Sequence, residues 1–581
     1  MNNNVIMEQV VLKKQYMLSC EAIYLEDECV DPLLLLKGIP LNAALEQIAS
    51  LLLRLTNIHK DDKKFHSSNL LAWMMKMNAI DQVKVLQFVT TNPTFNHPDF
   101  VLTDRRVCLR LLQIILKVGN STERELSKSD WGILFKSLLI CNAIEIKKQK
   151  GIFDWDNTGS IEDFINKILP VKMRNLEIDR RKDYKVQLLK AFYFFEFCQS
   201  DQEYKPYSES FLKFYDLQSY NQYIWNVLYP FLLMMTNNEI TCKIQIDENN
   251  ASVINFFNQF IINEKNVTID EDYLLLRQFP IFKSKLHTYT ILYVNFLVDK
   301  LYQGLLFDFV SVLKKCGYAS FNYGQLKTDM GNRFSEILLF YVVMEKCFQF
   351  YGDFRKTGAE LKELLEIGEP DYFIRKTDEI FLFEFKDATL RADAKYSENA
   401  STIKDELINR FELTEQNENQ PKNKTVNQLK NSIVDILSSK YQQKSVDTFD
   451  PNTVIIYPIF VFTDVVMESD GVNYFLKERL NKLIENNNVP KSRIKDLVLI
   501  NLDTLILYQD LFRKSQIDLA NCINSYLTYV SQGDPANKAF PFDEYFKFYI
   551  VRKGFSDVTI PKDFEDILKS FSLNDERFAN F

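Results

Sequence analysis

The chain has 581 residues, more than one hydrophobic core usually organises, so two or three domains are expected. Hydrophobic residues make up 46% and aromatics 14%, against only 15 Gly and 16 Pro, which argues for dense, helix-rich packing and against long disorder. A formal net charge of -8 excludes the overall basic character of proteins that grip nucleic acid with their whole surface, so any such contact must be local.

The start, MNNNVIMEQVVLKKQYM, lacks a basic flank followed by a sustained apolar stretch, so neither signal peptide nor anchor is expected. The nine cysteines are odd in number, scattered and without a CxxC pair, which reads as reduced core thiols of a cytoplasmic protein. Apolar residues recur at helical spacing from about residue 40 to 315, as in LNAALEQIASLLLRL from Leu41 and in the run from Tyr289 to Cys316. The most apolar stretch there, Ile224 to Met235, contains Asn226 and Pro230 and stops short of the roughly 18 residues of a membrane span. His59, His66, His97 and His287 show no metal-ligand spacing. Residues Lys172 to Lys185 are locally basic, with Arg174, Arg180, Arg181 and Lys182, which reads first as a solvated helix face and second as a phosphate contact.

Near Gly317 to Gly331 the pattern changes to short β-rich runs alternating with helices. The spacing predicts a helix over about 333–350, a hairpin over 372–387 and a helix over 424–441. A strand at 454–463, a helix near 474–485, a strand at 497–501 and a helix from Asp503 follow. The polar stretch Glu415 to Lys424 has no apolar face and reads as a loop beside the hairpin. Aromatic-rich helix returns beyond Gly533. The expected fold class is therefore multidomain α+β: an α-helical region over 1–320, an α/β core over 321–515 and a helical segment over 516–581.

The chemistry-bearing stretch is Gly368 to Leu390, GEPDYFIRKTDEIFLFEFKDATL. Two β-compatible runs flank Thr377 and Asp378, and centring a hairpin on those two residues sets Asp371 across from Glu384, roughly 5 Å away. Side-chain alternation puts Lys386 on the face of Glu384, while Phe381, Phe383 and Phe385 point the other way into a core. Like charges at that distance repel, and a hard divalent cation such as Mg²⁺ resolves the conflict because it takes oxygen ligands from one or two carboxylates. Such an ion polarises a phosphodiester and acidifies water, and an ammonium beside it stabilises developing negative charge.

These residues, Pro370 and Asp371 followed by Glu384, Phe385 and Lys386, resemble the PD-(D/E)xK phosphodiesterase superfamily, which includes restriction endonucleases and RecB-like exonucleases. The resemblance covers about residues 320 to 510 and implies a restriction-endonuclease-like αβββαβ core. It implies that Asp371 and Glu384 ligate Mg²⁺, for which Mn²⁺ can substitute, that the backbone carbonyl of Phe385 adds an oxygen, and that Lys386 assists catalysis. It also implies an acid on the preceding helix: Glu336 is the best placed, with Glu345 and Glu369 weaker. Gln428 matches a glutamine that many RecB-like members carry on the helix after the motif, and Lys422 and Lys424 beside it are the expected phosphate contacts. A single nuclease core joined to a long helical region, with no GxxxxGK(S/T) loop, looks like bacterial anti-phage effectors. The expectation is a DNA endonuclease whose helical region serves as sensor, clamp, homo-oligomer surface or partner-binding surface. Two alternatives stay open: an RNase using the same site, and a non-catalytic interaction protein on a nuclease-like scaffold.

Overall fold

The structure is a computed structural model that describes residues 16–57, 63–152, 159–236, 241–365, 369–412, 424–487, 489–556 and 559–574. The chain is a mixed α+β protein that divides into two compact units. Unit one holds the described parts of Ile152–Glu177 and Gly324–Phe581, and unit two those of Lys13–Gly151 and Ile178–Tyr323. A boundary at residue 320 separates most of one unit from most of the other, and the segment Ile152–Glu177 lies across it. No helix among the described residues is long and apolar enough to cross a membrane.

Unit two is mainly helical, as its periodicity requires. In Leu41–Asn57 the buried Leu45, Ile48, Leu52 and Leu55 recur at helical spacing, and that stripe packs on Arg105–Val118. Two small sheets interrupt the helices: a parallel pair, Tyr16–Met17 with Phe100–Val101, and an antiparallel sheet ordered Lys243–Gln245, Thr288–Ile291, Ile281–Lys285. Strands of two to five residues are too short for a period-2 signal to stand out. One expectation about the thiols is corrected. Two short 3-10 turns, Cys20–Ala22 and Glu26–Glu28, bring the Cα atoms of Cys20 and Cys29 to 6.3 Å, and these cysteines form a disulfide. The other seven are free.

Unit one is built on five strands: β1 (Phe354–Thr357), β2 (Tyr372–Lys376), β3 (Glu379–Lys386), β4 (Ile455–Phe462) and β5 (Val498–Asn501). They lie in the order β5-β4-β3-β2-β1, antiparallel on the β1 side of β3 and parallel on the β4 side. A parallel step needs a crossover. Helices Ala400–Phe411 and Thr425–Leu437 supply it between β3 and β4, and Val472–Glu485 supplies it between β4 and β5. The central strand β3 is buried on both faces. Ile380 and Leu382 join Val426, Leu429, Ile433 and Ile436 in one core. On the other face Phe385 stacks on Phe340 at 4.7 Å, Phe383 meets Phe348 at 6.0 Å and Phe381 meets Tyr351 at 5.8 Å. The elements expected beyond residue 320 form, and helices Tyr323–Met330, Gly358–Leu365 and Ala400–Phe411 and strand β1 are among those added to them. The stretch Glu415 to Asn423, including Lys422, lies outside the described residues.

Candidate active site

The hairpin of β2 and β3 fixes the site. Its register runs from Lys376↔Glu379 to Tyr372↔Phe383, with Thr377 and Asp378 at the turn, so the next step outward sets Asp371 opposite Glu384. Asp371 is held from two sides. Its Oδ2 accepts the backbone N–H of Phe385 at 2.6 Å, and its carbonyl accepts the N–H of Gly358 at 2.7 Å. Gly358 suits that close approach, since a Cβ would lie 3.0 Å from both the Asp371 Cα and the Pro370 carbonyl oxygen, tight enough that the backbone would have to give by tenths of an ångström.

Glu384 is 0% exposed, and neither carboxylate oxygen has a hydrogen-bond partner among the described residues. Burial, and then the neighbouring Asp371, push its carboxyl well above the usual carboxylate range. The Lys386 ammonium stands 3.7 Å from Asp371 Oδ2 and 3.9 Å from Glu384 Oε2, close enough for attraction and too far for hydrogen bonds. Burial works against its charge, but Asp371, Glu384 and Glu336 outweigh burial and raise its pKa.

Glu336 comes from the preceding helix, in which α turns over Tyr323–Met330 give way to ten residues, Gly331–Phe340, in the wide π register before Tyr341–Phe348 resumes the α-helix. The Tyr341 hydroxyl donates to Glu336 Oε1 at 2.6 Å. Burial and then Asp371 raise the Glu336 pKa, Tyr341 and Lys386 oppose that rise, and Glu369 adds to it. Glu369 is half-buried and acts electrostatically on both Glu336 and Tyr441. Glu345 is engaged elsewhere, accepting from the Tyr372 hydroxyl at 3.4 Å.

The remaining candidates spread further out. Gln428 is half-buried on Thr425–Leu437, the helix that packs against β3, and Lys424 just before that helix donates to the Asn409 carbonyl at 2.5 Å. The distant basic run is divided: Arg174 is buried in unit one, while Arg180, Arg181 and Lys182 belong to unit two, where Lys182 pairs with Asp299.

Three residues that the motif does not mark complete the arrangement: Gly358, Tyr341 and Asp387. Asp387 directly follows Lys386, the last residue of β3. It accepts from Ser335 Oγ at 2.6 Å and Thr463 Oγ1 at 2.7 Å and pairs with Lys327 at 2.7 Å. Burial raises its carboxyl, but Lys327, Ser335 and Thr463 together hold it down to about 2. The only sequence signal was an acid placed directly after the motif lysine.

The donor set suits a hard cation. Two adjacent carboxylates, one with orphaned buried oxygens, can hold an oxygen-seeking divalent ion that would leave those oxygens satisfied. Among the described residues no three His, Cys, Asp or Glu side chains converge to hold a metal, so water or substrate oxygens must supply the rest of the shell. The chain matches no family model, no curated protein and no solved structure.

Proposed function

We propose that unit one is a Mg²⁺-dependent phosphodiesterase of the PD-(D/E)xK kind, acting as a DNA endonuclease in bacterial anti-phage defence. The observation that carries this reading is the Glu384 carboxylate, wholly buried, without a hydrogen-bond partner within 3.5 Å among the described residues and directly across the hairpin from Asp371. An ionised group in that setting is costly unless cations balance it; the Lys386 ammonium at 3.9 Å offsets part of that cost for the two facing carboxylates, and a divalent ion would offset the rest. The sheet adds support, since three antiparallel strands followed by parallel ones, with a helix before the hairpin and crossover helices after it, suit the restriction-endonuclease-like core.

On this reading Asp371 and Glu384 hold the ion, the Phe385 carbonyl adds an oxygen, and Glu336 flanks them. Bound there, Mg²⁺, or Mn²⁺ in its place, would polarise a phosphodiester and would make water a better nucleophile at neutral pH. Lys386 offsets charge that develops on the phosphate oxygens, and its partial exposure leaves it accessible to substrate. Gln428 and Lys424, with Lys422, orient the strand through its backbone. Unit two provides the sensing, oligomerisation or partner surface.

Incubating purified protein with supercoiled plasmid and with RNA, in Mg²⁺, Mn²⁺ or EDTA, tests the assignment. Nicking or linearisation with either metal, lost in EDTA and in Glu384→Gln, is the expected result. Cleavage of RNA alone makes the site an RNase, and inertness toward both polymers leaves a non-catalytic scaffold.

A further inference from the structure

The helix that carries Glu336 is shaped around that residue. In an α-helix only residues three and four apart share a face, so residues 336 and 341 would point apart. The π register returns the N–H of residue i+5 to carbonyl i, and here the Tyr341 N–H bonds to the Glu336 carbonyl. The side chains follow the backbone, and the Tyr341 phenol reaches Glu336 Oε1 at 2.6 Å. One pair of residues is therefore tied twice.

The same register repeats one residue earlier. Ser335 donates to Asp387, and Phe340, five residues on, lies flat on Phe385 with rings 5° apart in plane. Asp387 also accepts from Thr463 at the end of β4. These contacts fix the π-helix to the strand end that bears Lys386, so Glu336 can move only by its own side-chain rotation. Tyr341 removes that freedom. Short π segments inside α-helices are uncommon and gather at functional sites.

We propose that Tyr341 is a positioning residue that holds the Glu336 carboxylate beside Asp371 as an outer acceptor of the divalent-cation site, reaching the ion through water. The inference rests on the metal-dependent reading above. Glu336 does not join Asp371 and Glu384 in a direct three-carboxylate ligand set, since among the described residues no such group converges. A phenol suits this task because it is neutral: it occupies one oxygen, Oε1, and leaves Oε2 to accept from a bound water. Partners of this outer kind typically carry 10- to 100-fold in metal affinity.

Calorimetric titration of the full chain with Mn²⁺ decides it, using wild type, Tyr341→Phe, Glu336→Gln and the double variant, with thermal melts of each in EDTA. Tyr341→Phe is expected to weaken Mn²⁺ about tenfold or more, Glu336→Gln to do the same, and the double variant to lose nothing further. Wild-type affinity in Tyr341→Phe overturns the inference, whether or not its melting temperature falls, and leaves the nuclease reading intact. Additive losses in the double variant also overturn it, because Tyr341 would then act other than through Glu336. Failure of the wild type to bind Mn²⁺, or binding unaffected by Glu384→Gln, removes the metal-dependent reading and this inference together.

Discussion

Two carboxyls three residues apart in β3 and its exit, Glu384 and Asp387, are both buried and respond to pH in opposite senses. Glu384 has its folded value raised above the ordinary 4.5, first by burial and then by Asp371. A raised acid contributes stability that is fully present below its unfolded value and is lost as pH rises through the folded one. Metal-free protein should therefore weaken as pH climbs from about 4.5, Glu384→Gln should flatten that limb, and Mg²⁺ should restore stability at high pH. Asp387 falls instead from 3.8 to about 2, because Lys327, Ser335 and Thr463 outweigh burial. Its contribution, about 2 kcal/mol at one to two pK units, is present above 3.8 and lost as pH drops through about 2. Asp387→Asn should shrink the acid limb by about that amount, Asp130 and other lowered carboxyls keeping the rest, and leave the alkaline limb, as urea melts in EDTA across pH 2 to 9 would read. Lys386 makes a third case. Its ammonium stands between both acids, so Lys386→Ala should bind Mn²⁺ at least as tightly as wild type while cleavage drops about 10²- to 10³-fold. Loss of Mn²⁺ binding in that variant would make Lys386 a structural residue.

At the scale of elements, the hairpin was legible and its surroundings were not. Alternating apolar residues on either side of two turn-forming residues leave a single register that buries Phe381, Phe383 and Phe385 together, and β2 and β3 adopt it. Thr377 takes a left-handed φ of 51° at the turn to allow it. The π register of Gly331–Phe340 carries no comparable signal, because an apolar face survives the change from i+4 to i+5 bonding. Strand β1, FRKT, is half-buried throughout and offers no alternation to detect. Its role shows only in three dimensions, where Gly358 directly after it abuts Asp371. Gly358→Ala drives a Cβ against backbone at 3.0 Å on two atoms, so the peptide of Asp371 must shift by tenths of an ångström. A carboxylate displaced that far loses ligand geometry. Mn²⁺ affinity should fall about tenfold while circular dichroism stays that of wild type, and unchanged affinity would show that β1 does not position Asp371.

On the scale of the whole molecule, periodicity reports that a helix has an apolar face but not what covers it. Helix Ile161–Asp179 reads like its neighbours in the helical region, yet its apolar face is spent on unit one. Phe164, Ile165, Ile168, Leu169 and Met173 are buried in one core with Leu361, Phe373, Ile380 and Leu382 of the sheet-bearing part. Polar ties accompany them: Glu177 to Lys395 at 2.9 Å and Lys172 to Asp470 at 3.1 Å. Five such side chains, at about 2 kcal/mol each, amount to roughly 10 kcal/mol before allowance for compactness of the unfolded chain. That is on the order of the entire stability of a domain. A fragment of residues 321–581 should consequently express as an aggregating or loosely packed species that binds a hydrophobic dye and melts without cooperativity. Adding a synthetic peptide of residues 159–179 should restore a cooperative melt and, with Mn²⁺, the binding isotherm of the full chain. A peptide carrying Ile168→Asp and Leu169→Asp should not, since each change sets an unpaired charge in the core. If the fragment alone melts cooperatively and ignores the peptide, the sheet and its own helices hold the site without help from helix Ile161–Asp179.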